Sequence, residues 1–450
     1  MKLLDLNISR QRLDSTHVFT NMACFGRTRL LGVTVKRFLT QVKRHAPQAY
    51  AALPAPMRTR YATSIGKLFA QKKQSTEQRT KTLQSRRAGT EDVRDLIGRF
   101  AGDEAMTTRS SYQALVRVFE EHCEVVADKV QVRPKSTGDS LQNPSDPDAT
   151  YDGLKGQGYQ LQISETCGEE NDVQLIVGAL AQTAAEHDAN ALAPMLEQLE
   201  QQELLPESML ADTAYGSDEN VVLAESKDVE LVSPVAGAKL EEATPTAAPA
   251  LEPLSIDDFA IDERTGKVNA CPSGKIPLKV ICDKATATTT IEMKPEDCKT
   301  CPFFAACPMQ KKGVKFEMSY TDKQRRLDER RREQQTDAFR ERYAKRSGLE
   351  STNSGLKRRL GLGELRIRGM KAVAHALYLR VAGWNMLQAA RSASLLAKVR
   401  AILAARGLLG RFFGRLGQLF PRRFRWEPNV MHSQSTEFTQ LRAPQLKPTW

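Results

Sequence analysis

Between residues 158 and 234 the hydrophobic period switches back and forth between that of strands and that of helices. This constrains the fold class more than any other feature of the chain. Gly158-Tyr-Gln-Leu-Gln-Ile-Ser alternates apolar and polar residues, the pattern of a half-buried strand. Residues 173–180 form a more apolar run, and the polar stretch 168–172 before it predicts a hairpin. An amphipathic helix is predicted over 190–201, after a His187-Asp188 turn. Residues 204–210 then lead into Ala211-Asp212, a strand ending in an aspartate, with the next helix starting near Ser217. A short strand over 229–233 is stopped by Pro234. Strand, hairpin strand, helix, strand, helix, strand is an α/β order with a mixed sheet.

Upstream, residues 8–18 read as a short strand, with Asp14 where it stops and Ser15, Thr16 and His17 forming a polar turn. Residues 19–130 are mostly helical, with Leu30, Leu31, Val35, Phe38, Leu39 and Val42 at helical spacing. Residues 71–87 read as a polar, basic connection and 133–158 as loop. Downstream, 236–253 is rich in Ala, Pro and Glu without apolar period, the composition of a linker. A charged helix is predicted over 322–346.

The 450-residue chain is 40% hydrophobic, enough for a large core and more than one domain. Its formal net charge of +12 favours a polyanionic partner, most simply nucleic acid. No stretch reaches the ~18 uncharged apolar residues of a membrane span. The N-terminus lacks an apolar segment of signal-peptide length. A cytoplasmic protein without membrane contact is expected. Five of the eight cysteines fall between Cys271 and Cys307, which in such a chain favours metal binding over a disulfide framework.

One further stretch bears on chemistry. Tyr343, Arg346, Glu350 and Lys357 follow one another at spacings of three, four and seven. On one helix they would share an arc of roughly 60°, beside a second arc holding Leu349, Leu356 and Leu360. A lone carboxylate among cations suits a site for metal and phosphate, and a solvated basic helix accounts for the spacing equally well. Asp14 and Asp212, each read at a strand end, bring two more carboxylates. Sites in open α/β sheets form at such ends, although aspartate there also serves simply as a turn former or N-cap. If the three converge, Mg²⁺ is the fitting ion. Two such ions about 4 Å apart activate water or a 3′-hydroxyl and stabilise the departing oxygen of a phosphodiester. Arg346 and Lys357 would then grip phosphate.

Tyr343, Arg346, Glu350 and Lys357 match the Y-(2)-R-(3)-E-(6)-K signature of bacterial insertion-sequence DDE transposases. Leu13-Asp14-Ser15-Thr16 and Ala211-Asp212-Thr-Ala-Tyr-Gly resemble the blocks carrying that family's first and second acids. Asn143-Pro-Ser-Asp-Pro-Asp-Ala resembles a segment preceding the second strand in one branch of it. The resemblance implies an RNase H-like mixed-sheet core, with a helical insertion after the first strand and a Cys-rich insertion before the Glu helix. It implies Asp14, Asp212 and Glu350 as ligands of Mg²⁺, or Mn²⁺, and Tyr343, Arg346 and Lys357 as DNA contacts. It implies cleavage at transposon ends and strand transfer to target DNA, in a homodimeric synaptic complex in a bacterial nucleoid. Relatives in this branch carry a helical segment before the first Asp. Because Asp14 is nearly N-terminal, the comparison with those relatives also implies an N-terminally truncated or mis-started copy, and an inactive remnant that binds DNA without catalysis is the alternative.

The chain is thus expected to divide into 1–18 with the first Asp, a helical and loop insertion at 19–157, and core strands with the second Asp at 158–235. An Ala/Pro-rich linker at 236–255, a Cys-rich zinc-ribbon-like insertion at 256–320, the two helices completing the core at 321–392 and a basic tail at 393–450 follow. Cys271, Cys298, Cys301 and Cys307 can be read as a structural Zn²⁺ site, with Cys282 spare, or as free thiols. His17 reads as a turn histidine or as a water- or DNA-contacting residue. Residues 391–425 hold nine Lys/Arg and no Asp/Glu, which suits DNA phosphate or, otherwise, a protein or membrane surface.

Overall fold

The computed structural model describes residues 6–22, 25–62, 76–237, 254–262, 267–283 and 286–405. Strand β1, Arg10–Thr20, buries Gln11 to Leu13 and Thr16 to Val18. It is longer than expected, so Asp14 and His17 lie within the strand and not at its end or in a turn. After β1 come the helices Arg27–His45, Thr76–Phe100 and Ser110–His122, which share a core of Leu30, Phe38, Val93, Leu96 and Leu115. Residues 76–87 are therefore helical, a correction to the polar connection expected there. Packing of the apolar C-terminal half nucleates the helix, and Gln, Lys and Arg extend it at little cost. Residues 71–75 lie outside the described residues.

A hairpin of β2 (Cys123–Val126) and β3 (Lys129–Val132) leads to β4 (Thr150–Asp152), β5 (Gly156–Thr166) and β6 (Ile176–Thr183). β7 (Ser208–Ala211) and β8 (Glu230–Val232) follow. β5 pairs antiparallel with β1 on one side and with β4 and β6 on the other. On β1's far side β7 and then β8 run parallel to it. The sheet is mixed and the class is α/β. β5 is buried on both faces, not half-buried, because elements pack over each side of the sheet. Two of its glutamines are matched internally: Gln160 donates to the Glu186 carbonyl at 2.8 Å and Gln162 to Asp188 Oδ1 at 2.9 Å.

The Cys-rich stretch holds a hairpin of β9 (Ala260–Ile261) and β10 (Val268–Ala270). Next comes an antiparallel sheet of β11 (Lys279–Asp283), β12 (Thr288–Met293), β13 (Gln310–Lys312) and β14 (Lys315–Thr321), in the order β11-β12-β14-β13. Ile291, Met293, Phe316, Met318 and Tyr320 form its core. Most of the expected linker, 238–253, lies outside the described residues.

The charged helix expected over 322–346 is two helices, Asp322–Glu333 and Asp337–Ala344. Thr336 caps the second by accepting from the Phe339 N–H at 3.2 Å, which restarts the chain in a new direction. A 3-10 turn, Lys345–Ser347, joins it to the helix Gly348–Leu360, called here the Glu helix. Tyr343, Arg346 and Glu350 thus lie on three successive elements and not on one helix. Leu349, Thr352, Asn353 and Leu356 form the buried stripe of the Glu helix. It ends at Gly361 in the left-handed region, φ 63°. β15 (Glu364–Leu365) then pairs parallel with the far end of β1.

The next helix, Met370–Ala389, starts without a side-chain cap of its own. Carboxylates from the Asn143-Pro-Ser-Asp-Pro-Asp stretch serve instead. Asp146 accepts from the Gly369 N–H at 3.0 Å, and Asp148 from the Met370 N–H at 2.7 Å. Asp146 also accepts from the Tyr159 hydroxyl at 2.6 Å and the Thr20 hydroxyl at 3.1 Å, tying that helix start to β5 and β1. The chain from Ala393 on forms a separate unit, of which the helix Ala393–Ala405 is described. The rest of the basic stretch, 406–425, lies outside the described residues.

The Glu helix meets Met370–Ala389 at Gly355, where a Cβ would lie 2.1 Å from the Trp384 ring. Gly355→Ala gains up to about 1 kcal/mol in helix propensity but overpacks this contact at about 1–3 kcal/mol. The expected outcome is net destabilisation by about 1–2 kcal/mol, read as a lower urea midpoint at unchanged slope. A raised midpoint would show that Trp384 does not press on this face.

Candidate active site

The site lies where β1 changes neighbour. Arg10 to Leu13 pair with β7, and Phe19 and Thr20 pair with β15 on the same side. The residues between, Asp14 to Val18, face a gap between the two parallel partners. Leu13 is in register with Ala211, the last residue of β7, so Asp14 and Asp212 emerge side by side. The end that matters for Asp14 is thus that of the neighbouring strand. Crevices at such carboxyl ends are where α/β sheets hold ligands.

Both aspartates face Arg346. One guanidinium nitrogen lies 3.7 Å from Asp14 Oδ1 and 3.3 Å from Asp212 Oδ2. The two oxygens are therefore no farther apart than those two contacts laid end to end. Asp14 also accepts from the Ser15 N–H at 2.9 Å and from Asn353 Nδ2 at 3.5 Å. Burial lifts its carboxyl above the ordinary aspartate range, with Arg346 and the Ser15 N–H acting the other way. The nearby charges of Asp212 and Asp188 add to the rise.

Tyr343 stacks on Phe339, ring centroids 5.7 Å apart, close enough to feel Arg346 and both aspartates. Lys357 is lowered by partial desolvation and then by Lys155, while the charge of Asp14 acts in the opposite sense. Glu350 does not join them. It is exposed on the first turn of the Glu helix, and among the described residues no hydrogen bond or ion pair links it to Asp14 or Asp212. No three His, Cys, Asp or Glu side chains among the described residues come together closely enough to hold a metal ion.

Two further contributors are Asp188, read from the sequence as part of a turn, and Asn353, which was not singled out there. Asp188 accepts from Ser15 Oγ at 3.1 Å and from Gln162, and lies 3.8 Å from Lys155. Asn353 faces Asp14, its Oδ1 buried without a hydrogen-bond partner among the described residues. The signal for Asn353 was a polar pair, Thr352-Asn353, interrupting a leucine stripe. His187 caps its turn through Nδ1, which accepts from the Ala189 N–H at 3.1 Å. His17 is buried in β1, edge-on to Phe19 at 4.5 Å, and burial followed by Lys155 lowers its pKa.

A buried ion pair sets the position of the Glu helix against β1. Arg12 Nε and a terminal nitrogen donate to Glu165 Oε2 at 2.8 and 2.6 Å, and its other terminal nitrogen donates to the Lys345 carbonyl at 2.9 Å. Thr352 donates to Glu165 Oε1 at 2.7 Å. Arg12 lies two residues from Asp14, and Thr352 two from Glu350.

Cys271, Cys298, Cys301 and Cys307 line one small cleft with Met293, Phe303, Phe304 and Met309. Burial first, then Cys307, Cys271 and Cys301, push the Cys298 thiol up to about 11. Cys282 is exposed on β11, away from this cleft's lining.

Replacing Glu165 by leucine leaves Arg12 buried without its counter-charge. A loss of about 3–5 kcal/mol is expected, measured by chemical denaturation. A loss under about 1 kcal/mol, the range of an exposed pair, would mean that water already screens it.

Residues 270–390 match the family model described as a transposase DDE domain. The match takes in the Cys-rich sheet and the Glu helix and supports a DDE transposase. Asp14 and Asp212 lie outside it. No curated protein and no solved structure matches the chain. No described helix is long and apolar enough to cross a membrane.

Proposed function

We propose that the chain is a divalent-metal-dependent DNA transposase that cleaves at insertion-sequence ends and joins them to target DNA. The observation that carries this reading is the meeting of Asp14 and Asp212 at the gap between β7 and β15, beneath the Glu helix. The sheet, an antiparallel β6-β5-β1 set continued by parallel β7 and β8, supports an RNase H-like core. The family match over the Glu helix adds a second, separate support.

The donor set fits a hard ion. Mg²⁺ is commonly held by one or two carboxylates with waters completing its octahedron, and the two aspartate carboxylates provide oxygen donors in one crevice, with the Asn353 amide beside Asp14. Asp14 and Asp212 would hold the ion, and Glu350 would join from the exposed side of the Glu helix. Such ions, when bound, activate the attacking hydroxyl and stabilise the departing oxygen of a phosphodiester. Arg346 and Lys357 neutralise and orient the phosphate, the first through a planar fork and the second as a point charge. Tyr343 offers a ring and hydroxyl to the DNA beside it.

In the Cys-rich insertion we propose that Cys271, Cys298, Cys301 and Cys307, which share one cleft but do not stand at ligand distance from one another in this structure, would close around structural Zn²⁺. Purified protein is expected to carry one zinc per chain, and Cys298→Ser with Cys301→Ser to carry none, by elemental analysis. Zinc-free protein with unchanged thermal stability would overturn the assignment.

Full-length protein should nick DNA bearing the element's ends in the presence of Mg²⁺. Asp14→Asn, Asp212→Asn and Glu350→Gln should each slow nicking by about a hundredfold or more, since several kcal/mol of charge stabilisation are lost. Salt-dependent DNA binding should persist in all three. Undiminished nicking by Glu350→Gln would refute the three-acid assignment. Wild-type protein that binds ends but never cuts them would favour a DNA-binding remnant.

A further inference from the structure

The contact between Arg346 and the two aspartates is close but loosely made. Both oxygens approach the same nitrogen, at 3.7 and 3.3 Å, beyond the 2.7–2.9 Å of a charge-assisted hydrogen bond. The guanidinium does not form the two-pronged fork usual for arginine and carboxylate, and its Nε is buried without a hydrogen-bond partner among the described residues. The side chains of Arg346 and Asp14 are only 15% and 17% exposed, so water screens that pair poorly, whereas Asp212 is 48% exposed and meets solvent on its side of the crevice. Compare Arg12, which satisfies its donors on Glu165 and the Lys345 carbonyl and is locked in place. Arg346 instead springs from the 3-10 turn between two helices, and its contacts to the two carboxylates are longer than hydrogen bonds.

We propose that the Arg346 guanidinium occupies the cation position between Asp14 and Asp212 in the metal-free protein, and that a divalent ion binds there only by displacing it. The inference rests on the metal-dependent reading above. Two neighbouring carboxylates, one of them largely buried, repel each other without a counter-charge, and Arg346 supplies it in the resting state. When an ion takes over that charge, the freed guanidinium, still at the mouth of the crevice, is available to a phosphate. Arg346 is on this account a positioning residue that competes with the metal and couples ion binding to phosphate binding.

The test is calorimetric titration of Mn²⁺ into the full chain without DNA. Arg346→Met removes the competing charge and keeps much of the side chain's bulk. It should bind Mn²⁺ about tenfold more tightly than wild type. Arg346→Lys keeps the charge and should stay within about twofold of wild type, so the idea remains testable if the methionine variant folds poorly. Asp14→Asn should weaken Mn²⁺ binding in either background. If Arg346→Met binds Mn²⁺ no better than wild type while Asp14→Asn still abolishes binding, the displacement is wrong and the metal site stands. A tenfold gain in Arg346→Lys would overturn it equally. If Asp14→Asn and Asp212→Asn leave Mn²⁺ binding untouched, the carboxylates are not its ligands, and both readings fall.

Discussion

The buried ion pair between Arg12 and Glu165 is the contact on which the geometry of the site depends. It joins four elements at once: β1 through Arg12, β5 through Glu165, the 3-10 turn through the Lys345 carbonyl, and the Glu helix through Thr352. Neighbouring residues on the same elements are the ones with chemical interest. Buried pairs seldom add much net stability over an apolar replacement, because desolvation offsets the attraction. What this pair adds is register: with four partners satisfied, the Glu helix has one seat over the strand. Gly348 belongs to the same arrangement, since any side chain there would run into the Arg12 guanidinium.

The crevice beside it is organised differently. Its charges are close but under-bonded, and buried atoms such as Asn353 Oδ1 and Arg346 Nε lack hydrogen-bond partners among the described residues. Unsatisfied buried polar groups cost free energy, and natural structures concentrate them where a ligand completes the set. A rigid, fully bonded ion pair thus stands directly next to a loosely bonded one, the first fixing positions and the second leaving room for exchange.

Much of the sheet was legible in the sequence, because the 158–234 stretch writes strands and helices with clean periods and Asp212 directly follows an apolar strand. The leucine stripe of the Glu helix was legible for the same reason. Asp14 was misplaced because the strand end that exposes it belongs to β7, a neighbour 200 residues away in sequence, and pairing partners are not written in local periodicity. The break between Tyr343 and Glu350 was missed because nothing in Lys345-Arg346-Ser347 disfavours a continuous helix; tertiary contacts through the Lys345 carbonyl set the turn. Asp188 was legible only as part of a turn and Asn353 was passed over, because their significance lies in what they face. The helical character of 76–87 escaped because a polar face says little about a helix whose packing lies farther along.

The gap between β7 and β15 has a consequence in time. One rim of the crevice is made when β7 docks on β1, but the other awaits β15 and the Glu helix, and the contact from Asn353 to Asp14 spans 339 residues. Ribosomes add about 5–20 residues per second, so more than a quarter of a minute separates synthesis of the first acid from that of the helix that roofs it. During that interval the emerging chain holds half a crevice. Whatever chemistry the finished crevice performs, a nascent or prematurely ended chain is barred from it by topology alone.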